Sequence, residues 1–272
     1  MKNIFSNILN SNYFFVIIKK ILKRFEKNTS IDAKKWVKLN TKCTTEEFCQ
    51  LIDPQLYEEI LFDTLSMEKE AKKKLSKLSI SLGGGGNHIL LYFLVRKLKP
   101  NTVVETGVAA GWSSLAILRA LRKNGNGKLY SSDFPYFRLE NPEQYIGYLA
   151  KDEVNKINWF LDIRGDDVAI PEILKRIGND SIDLIHYDSD KSYSGRDKVL
   201  KTLHPKINPK TIIIFDDIQD NLHFKDLTEK TKEDYCILEF KGKYVGILGV
   251  KFLLEMTTNT TNIIKNLIIK EH

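Results

Sequence analysis

Acids and glycines follow three apolar stretches of the chain, each at the point where a predicted β-strand ends. Glu105, Gly107 and Gly111 lie at the end of the first stretch, Asp188-Ser-Asp190-Lys191 at the end of the second, and Asp216-Asp217 at the end of the third. In a sheet of parallel strands these ends meet at one edge, where α/β proteins bind their ligands. The sequence therefore predicts one binding site built from three strand ends.

The glycines of the first stretch predict a sharp turn that a ligand can approach closely. The helix that follows would offer its N-terminal amides to a negative group. The turn is not a dinucleotide fingerprint, because Ala109 and Trp112 stand where GxGxxG needs glycine. A nicotinamide cofactor is therefore disfavoured.

Two acids near this turn indicate the kind of ligand. Glu105 suits a ligand with a cationic amine, and Asp133, at the end of the next predicted strand, is placed to accept hydrogen bonds from ribose hydroxyls. Asp133 taken alone also fits an ordinary turn acid before Pro135. Together the two acids favour a nucleoside ligand that carries an amino-acid moiety.

The segment Glu105-Thr-Gly-Val-Ala-Ala-Gly-Trp-Ser113 resembles the first motif of class I methyltransferases. It is similar in particular to the ExGxxxGxS form of the metal-dependent O-methyltransferases of the catechol and caffeoyl-CoA type. The similarity extends over residues 87–217, which also resemble a broad family of bacterial class I methyltransferases. The resemblance implies S-adenosyl-L-methionine as the cofactor. The cofactor-binding residues that it implies are Glu105, Thr106, Gly107, Gly111, Trp112, Ser113, Asp133 and Asp166.

The same resemblance implies catalytic roles at the second and third strand ends. In the metal-dependent enzymes an aspartate at the position of Asp188 binds the metal, and a lysine at the position of Lys191 acts as the base. Asp216 and Asp217 stand where those enzymes have an Asp-Asn pair. The implied site is Mg²⁺ or another divalent cation held by Asp188, Asp216 and Asp217. The extra charge of Asp217 either tightens cation binding or accompanies a metal-free site.

Strands that alternate with helices predict the scaffold that positions these residues. We expect an α/β fold with a doubly wound, mostly parallel, seven-stranded Rossmann-like sheet, closed by an antiparallel hairpin at 236–240 and 245–252. The glycine run 83–86 is either a hinge or a loop that closes over the site. The predicted domains are a basic amphipathic helical tail at 1–30, a helical N-terminal extension at 31–86, a methyltransferase domain at 87–255 and a C-terminal helix at 256–272.

The positive charge of the chain is concentrated near its start. The net charge of the 272 residues is +7, and residues 1–30 hold six basic side chains and one acid. Because the remainder is nearly neutral, no nucleic-acid partner is expected. The tail either lies on an anionic membrane surface or packs on the domain or a second subunit. The three cysteines predict neither disulfides nor a zinc site, so a cytoplasmic protein is expected, with peripheral contact at the inner membrane face left open.

These observations favour an S-adenosylmethionine-dependent methyltransferase that acts on a hydroxyl of a small-molecule or glycan acceptor, with or without a divalent cation. The alternatives are a metal-free N- or O-methyltransferase, a hydroxylase-like enzyme of the same fold, and a non-catalytic membrane-associated protein. The sequence shows no convincing set of two histidines and one carboxylate for a hydroxylase iron. The acceptor is not readable, and a homo-oligomer is left open.

Overall fold

The computed structural model describes residues 28–134, 136, 139–153 and 157–256. The predicted tail at 1–30 and the predicted C-terminal helix at 256–272 therefore lie almost entirely outside the described residues. Within this described part, no helix combines the length and the apolar character that crossing a bilayer requires.

One sheet organises the described residues. Its strands are β1 (Cys43–Thr44), β2 (Thr102–Thr106), β3 (Lys128–Ser132), β4 (Asn158–Asp162), β5 (Leu184–Tyr187), β6 (Ile212–Phe215), β7 (Tyr235–Phe240) and β8 (Lys243–Leu248). They lie in the order β1-β7-β8-β6-β5-β2-β3-β4. The central strands β4, β3, β2, β5 and β6 pair in parallel, whereas β8 pairs antiparallel with both β6 and β7. The carboxyl ends of β2, β3, β5 and β6 therefore share one edge.

Helices cover both faces of this sheet. They are α1 (Ser30–Asn40), α2 (Thr45–Ile52), α3 (Pro54–Leu75), α4 (His88–Leu98), α5 (Trp112–Asn124), α6 (Asp166–Ile177), α7 (Tyr193–Leu203), α8 (His223–Thr231) and α9 (Val250–Glu255). The core on one face includes residues of α2 to α5, and the core on the other face includes residues of α1, α6, α7 and α8. Strands β2, β5 and β6 are buried along their whole length, which is why they are nearly continuous apolar runs.

The predicted doubly wound α/β architecture is confirmed, with two corrections to its strands. The two-residue strand β1 is an eighth member, which the N-terminal extension adds beside β7. The strand predicted over 245–252 ends at Leu248, because Gly249 turns the chain at φ 80° into α9. A Cβ atom at Gly249 would lie 2.6 Å from the carbonyl oxygen of Thr211, so the turn packs tightly on the chain before β6.

The helical extension packs directly on α4, the helix that precedes β2. The Tyr92 hydroxyl of α4 donates a hydrogen bond of 2.9 Å to Asp63 of α3, and Arg96 of α4 pairs with Glu59 of α3 at 2.8 Å. Together with β1, these contacts join the extension to the sheet. The division of the chain at residue 86 stays a prediction.

Candidate active site

The glycine turn after β2 lies against the end of β5. Gly107 has φ 83°, and a Cβ atom there would lie 2.5 Å from the carbonyl oxygen of Asp188. Only glycine fits both the conformation and the close approach. Gly111, at φ 91°, precedes α5, and a Cβ atom there would lie 2.9 Å from the Cα atom of Gly147. The sequence-predicted turn is thus held between β5 and the segment that follows β3.

Asp133, directly after β3, fixes the middle of this turn. Its Oδ2 atom accepts hydrogen bonds from the backbone amides of Val108 at 2.9 Å and Ala109 at 2.5 Å, and Oδ1 accepts one from the amide of Phe134. Burial raises the pKa of Asp133 to about 6, although the three amide bonds oppose that shift. The carboxylate predicted to bind ribose therefore also shapes the turn.

Glu105 lies beneath the turn, fully buried. Its Oε2 atom accepts hydrogen bonds from the hydroxyls of Ser114 at 2.6 Å and Ser131 at 2.7 Å. Its Oε1 atom is 3.8 Å from Nδ1 of His186. This carboxylate contacts side chains of three elements, and its predicted contact with a cofactor amine stays a prediction.

Asp166, the first residue of α6, joins the ends of three strands. Its carboxylate accepts hydrogen bonds from the hydroxyls of Ser132 at 2.7 Å and Ser189 at 2.6 Å. The Ser189 hydroxyl also lies 3.0 Å from Oγ1 of Thr106. Burial raises the pKa of Asp166. Two predicted cofactor residues, Thr106 and Asp166, are thus brought together at the edge between β2, β3 and β5.

The glycine run 83–86 lies over the same edge. A Cβ atom at Gly85 would be 3.0 Å from the indole of Trp112, and one at Gly86 would be 2.8 Å from Oδ2 of Asp216. Trp112 and Ser113, the other two predicted cofactor residues, begin α5 and are buried. The run therefore lies against the start of α5 and the end of β6, and its role as a hinge or as a closing loop stays a prediction.

Asp188 and Asp216 meet at the ends of the neighbouring strands β5 and β6, with His186 between them and the core. Potential ligand atoms of these three residues all lie within 4.8 Å of one another, and Nε2 of His186 is 3.8 Å from Oδ2 of Asp216. Burial opposes the charged imidazole, yet the carboxylates of Asp216 and Glu105 raise the pKa of His186 to about 10. Burial, together with Asp216, raises the pKa of Asp188 to about 6.

Lys191 and Asp217 form a second cluster beside the first. The Lys191 ammonium contacts Asp188 and lies 2.9 Å from Asp217. Burial opposes its charge, but Asp188 and Asp217 keep the pKa of Lys191 above its ordinary value. Lys243 also lies 3.2 Å from Asp217. Despite its burial, Asp217 has its pKa lowered to about 2 by these cations, Lys191 first. Asp217 thus faces two lysines, Asp188 lies between Lys191 and the His186 cluster, and Asp216 faces His186.

The sequence predicts no functional role for two residues of the site. His186 lies two residues before Asp188, which places both side chains on one face of the strand. Arg196 is fully buried in α7, and its Nη2 atom donates to the carbonyl oxygens of Asp216 at 3.0 Å and Asp217 at 2.9 Å. The arginine holds the turn after β6, and no sequence pattern indicates this long-range contact.

Comparison with known proteins agrees with this arrangement. The family described as a methyltransferase domain matches residues 104–218, which run from β2 to the turn after β6 and contain the strand ends described above. No curated protein sequence matches the chain.

Solved structures share the fold at low sequence identity. An O-methyltransferase from Bacillus cereus in complex with SAH aligns with a TM-score of 0.54 at 14% identity, over 67% of this chain and 90% of that chain. The O-methyltransferase TomG from Streptomyces achromogenes, in complex with SAM, aligns with a TM-score of 0.51 at 14% identity, over 67% of this chain and 88% of that chain. Both likenesses show the class I methyltransferase fold.

Proposed function

We propose that this chain, a class I S-adenosylmethionine-dependent methyltransferase, methylates a hydroxyl oxygen of a small molecule or a glycan. The observation that carries the proposal is the cluster of His186, Asp188 and Asp216 with Lys191, at the same sheet edge as the glycine turn. A carboxylate or a neutral lysine can accept the proton that a hydroxyl must lose before it is methylated. The O-methyltransferases of the same fold, crystallised with SAM or SAH, support the cofactor and the acceptor atom.

The cofactor would bind along the ends of β2 and β3. When bound, S-adenosylmethionine supplies a methyl group on a sulfonium, so that the new C–O bond forms as the C–S bond breaks. Asp133 would accept hydrogen bonds from the ribose, and the turn at Gly107 and Gly111 would let the cofactor approach the backbone. Trp112 and the glycine run 83–86 would exclude water from the reacting atoms. Orientation and exclusion of water are the protein's main contributions to a displacement of this kind.

The acceptor hydroxyl would lie beside Asp188 and Asp216. A bound divalent cation lowers the pKa of a hydroxyl that it coordinates, and the two carboxylates are hard oxygen donors suited to such an ion. We propose Lys191 as the residue that takes the hydroxyl proton at its Nζ atom. Because its ion pairs raise the pKa of Lys191, the lysine is an ammonium and must release its own proton to solvent before it can take one from the acceptor. A cation bound to Asp188 would favour this release, because a nearby positive charge lowers the pKa of a lysine.

A metal-free methyltransferase is the second candidate. The observation that favours it is the Lys191 ammonium, which already supplies a positive charge to Asp188 and Asp217. Full activity in a strong chelator would support this candidate, and loss of activity that added cation restores would support the first.

The experiment that tests the function is calorimetric titration with S-adenosylmethionine, followed by transfer of a labelled methyl group to a panel of hydroxylated acceptors. Asp133→Ala should abolish measurable cofactor binding. The exposed Asp180, which precedes β5, provides a matched control, and Asp180→Ala should leave binding unchanged. Absence of cofactor binding by the wild-type chain would overturn the proposed function.

We also propose that residues 1–30 bring the enzyme to an anionic membrane surface. Their six basic side chains and single acid support this proposal. The exposed residues of α1 support it further, because Lys34, Lys35 and Lys38 outnumber the single acid Asp32. Ile31 and Leu39 of the same helix are 81% and 71% exposed. Basic side chains around exposed apolar ones suit a lipid interface.

A further inference from the structure

Buried polar atoms without hydrogen-bond partners converge at the end of β5. Within the described residues, both ring nitrogens of His186, Oδ1 of Asp216 and Oε1 of Glu105 are buried and lack a hydrogen-bond partner. The exposed fraction is 1% for His186, 7% for Asp216 and 0% for Glu105. Most buried polar atoms in folded proteins are hydrogen-bonded, so this convergence indicates a ligand that completes the cluster.

The geometry points toward a metal ion. His186 and Asp188 alternate on one face of the strand end, and the pairing of Tyr187 with Phe215 brings Asp216 beside them. The potential ligand atoms of the three residues lie within 4.8 Å of one another. The Asp188 side chain is 31% exposed, so it is accessible from solvent, whereas His186 approaches from the core.

We propose that Nε2 of His186, together with Asp188 and Asp216, binds a divalent transition-metal ion, and that Asp217 is not a ligand. The purpose of this ion, activation of the acceptor hydroxyl, rests on the proposed function, whereas its binding does not. Asp217 differs from Asp188 in its second lysine, because Lys243 lies 3.2 Å from Asp217 and Lys191 contacts both carboxylates. Ion binding at Asp188 therefore requires that the Lys191 ammonium stay with Asp217. This donor set differs from the three carboxylates predicted from the sequence.

The second ring nitrogen of His186 has its own partner in the proposed arrangement. Nδ1 lies 3.8 Å from Oε1 of Glu105, which is one of the unpartnered buried atoms. Histidines that bind metals usually donate their other N–H group to a carboxylate, which fixes the tautomer and orients the ring. Glu105 is thus the positioning residue for His186, while its other oxygen remains bonded to Ser114 and Ser131.

The donor types predict which ions bind. Mg²⁺ and Ca²⁺ prefer all-oxygen sites, whereas one imidazole and two carboxylates suit Mn²⁺, Fe²⁺, Co²⁺ and Zn²⁺. Gly86 leaves space at Asp216, because a Cβ atom there would lie 2.8 Å from Oδ2. We therefore expect Co²⁺ and Mn²⁺ to bind more tightly than Mg²⁺, and we expect the imidazole to contribute to the Co²⁺ affinity.

The test uses the full chain without cofactor or acceptor, titrated with Co²⁺, Mn²⁺ and Mg²⁺ by calorimetry. Wild type should bind Co²⁺ at least about tenfold more tightly than Mg²⁺. His186→Asn should weaken Co²⁺ binding by at least about tenfold, since even the partners that orient metal ligands contribute about 10–100-fold. Asp217→Asn is the matched control and should change Co²⁺ affinity less than about threefold. Pulsed electron paramagnetic resonance of bound Mn²⁺ should show coupling to a ring nitrogen in wild type and none in His186→Asn.

Loss of Co²⁺ binding in Asp217→Asn but not in His186→Asn would overturn the donor assignment, and so would absence of nitrogen coupling. Absence of Co²⁺ binding by wild type would overturn the site itself and leave His186 as an imidazolium between two carboxylates. Far-ultraviolet circular dichroism of each variant separates ligand loss from unfolding. The proposed function fails independently, through absence of S-adenosylmethionine binding, so the two results are distinguishable.

Discussion

Asp133 holds the glycine turn and is proposed to bind the ribose of the cofactor, and the dependence of both roles on pH can be measured. Its carboxylate accepts hydrogen bonds from the amides of Val108 and Ala109, and burial raises its pKa to about 6. Because the folded pKa lies above the ordinary value of about 3.9, folding takes up a proton in this range. This carboxyl therefore favours the folded state at low pH, and that contribution is lost as the pH rises through about 6.

Cofactor binding should depend on pH in the opposite direction. The ionised carboxylate is the stronger acceptor for both ribose hydroxyls and turn amides, so the affinity for S-adenosylmethionine should fall as the pH drops from about 7 to about 5. Asp133→Asn should bind about 10–100-fold more weakly at pH 7, since hydrogen bonds to charged groups contribute about 1.5–3 kcal/mol. Calorimetry across this range is the measurement, and a wild-type affinity that is constant with pH would contradict the prediction.

Lys191 is the residue for which the predicted chemistry is most specific. If it takes the acceptor proton, Lys191→Met should lower kcat by about 10²–10⁴-fold, the usual contribution of general acid–base catalysis, and should change cofactor affinity little. Lys201 of α7 is 72% exposed and pairs with Asp197, so Lys201→Met is a suitable control. Equal losses of cofactor affinity and of kcat in Lys191→Met would instead assign the lysine a structural role.

At the scale of elements, the turn after β2 can be tested with a pair of glycines. Gly107 and Gly125 have φ of 83° and 80°, but only Gly107 has close neighbours, because nothing described lies within 4 Å of a Cβ atom at Gly125. Gly125→Ala should cost about 1 kcal/mol of unfolding free energy from backbone strain alone. Gly107→Ala should cost clearly more and should abolish cofactor binding. Urea denaturation measures both free energies of unfolding. Equal losses in the two variants would show that the end of β5 moves to accommodate the added methyl group.

The contact between the glycine run 83–86 and the end of β6 can also be tested with a pair of glycines. A Cβ atom at Gly86 would lie 2.8 Å from Oδ2 of Asp216, whereas a Cβ atom at Gly84 would meet nothing described within 4 Å. Neither residue has a positive φ. Gly86→Ala should therefore displace Asp216 or the run 83–86 and lower the rate of methyl transfer by about tenfold or more, as small displacements of reacting groups do. Gly84→Ala should retain the wild-type rate, and a loss in both variants would point to mobility of the run instead.

The sequence predicts most of these elements because their patterns are local. Strand β2, at Thr102–Thr106, ends at the glycine turn as predicted, since an apolar run before glycines is a strong signal. Strand β1 has only two residues and forms through contact with β7, which leaves no periodic pattern. Asp217 faces Lys191 and Lys243 because its backbone is left-handed, at φ 52°. Lys243 lies 26 residues further along the chain, so the sequence does not indicate this contact. The position of His186 between Glu105 and Asp216 likewise follows from strand order, which a single sequence does not reveal.

For the whole molecule, the exposed face of α1 continues the basic character of residues 1–30. Lys34 and Lys38 are exposed beside Ile31 and Leu39, so this face should contact the headgroups of anionic lipids together with the preceding residues. The full chain should sediment with vesicles of phosphatidylcholine and phosphatidylglycerol, and much less with phosphatidylcholine alone. Because each basic residue near such a surface contributes about 1 kcal/mol, Lys34→Glu/Lys38→Glu should weaken binding by about tenfold or more.

The matched control reverses two exposed lysines of α3. Lys69→Glu/Lys73→Glu changes the net charge by the same amount, so any effect of overall charge on vesicle binding would appear equally in both variants. Ile31→Ser/Leu39→Ser should weaken binding without a change in charge, because insertion of apolar side chains adds to the electrostatic attraction. Equal losses in the two charge-reversed variants would show that the attraction is delocalised, and binding that all three variants retain would place the contact outside α1.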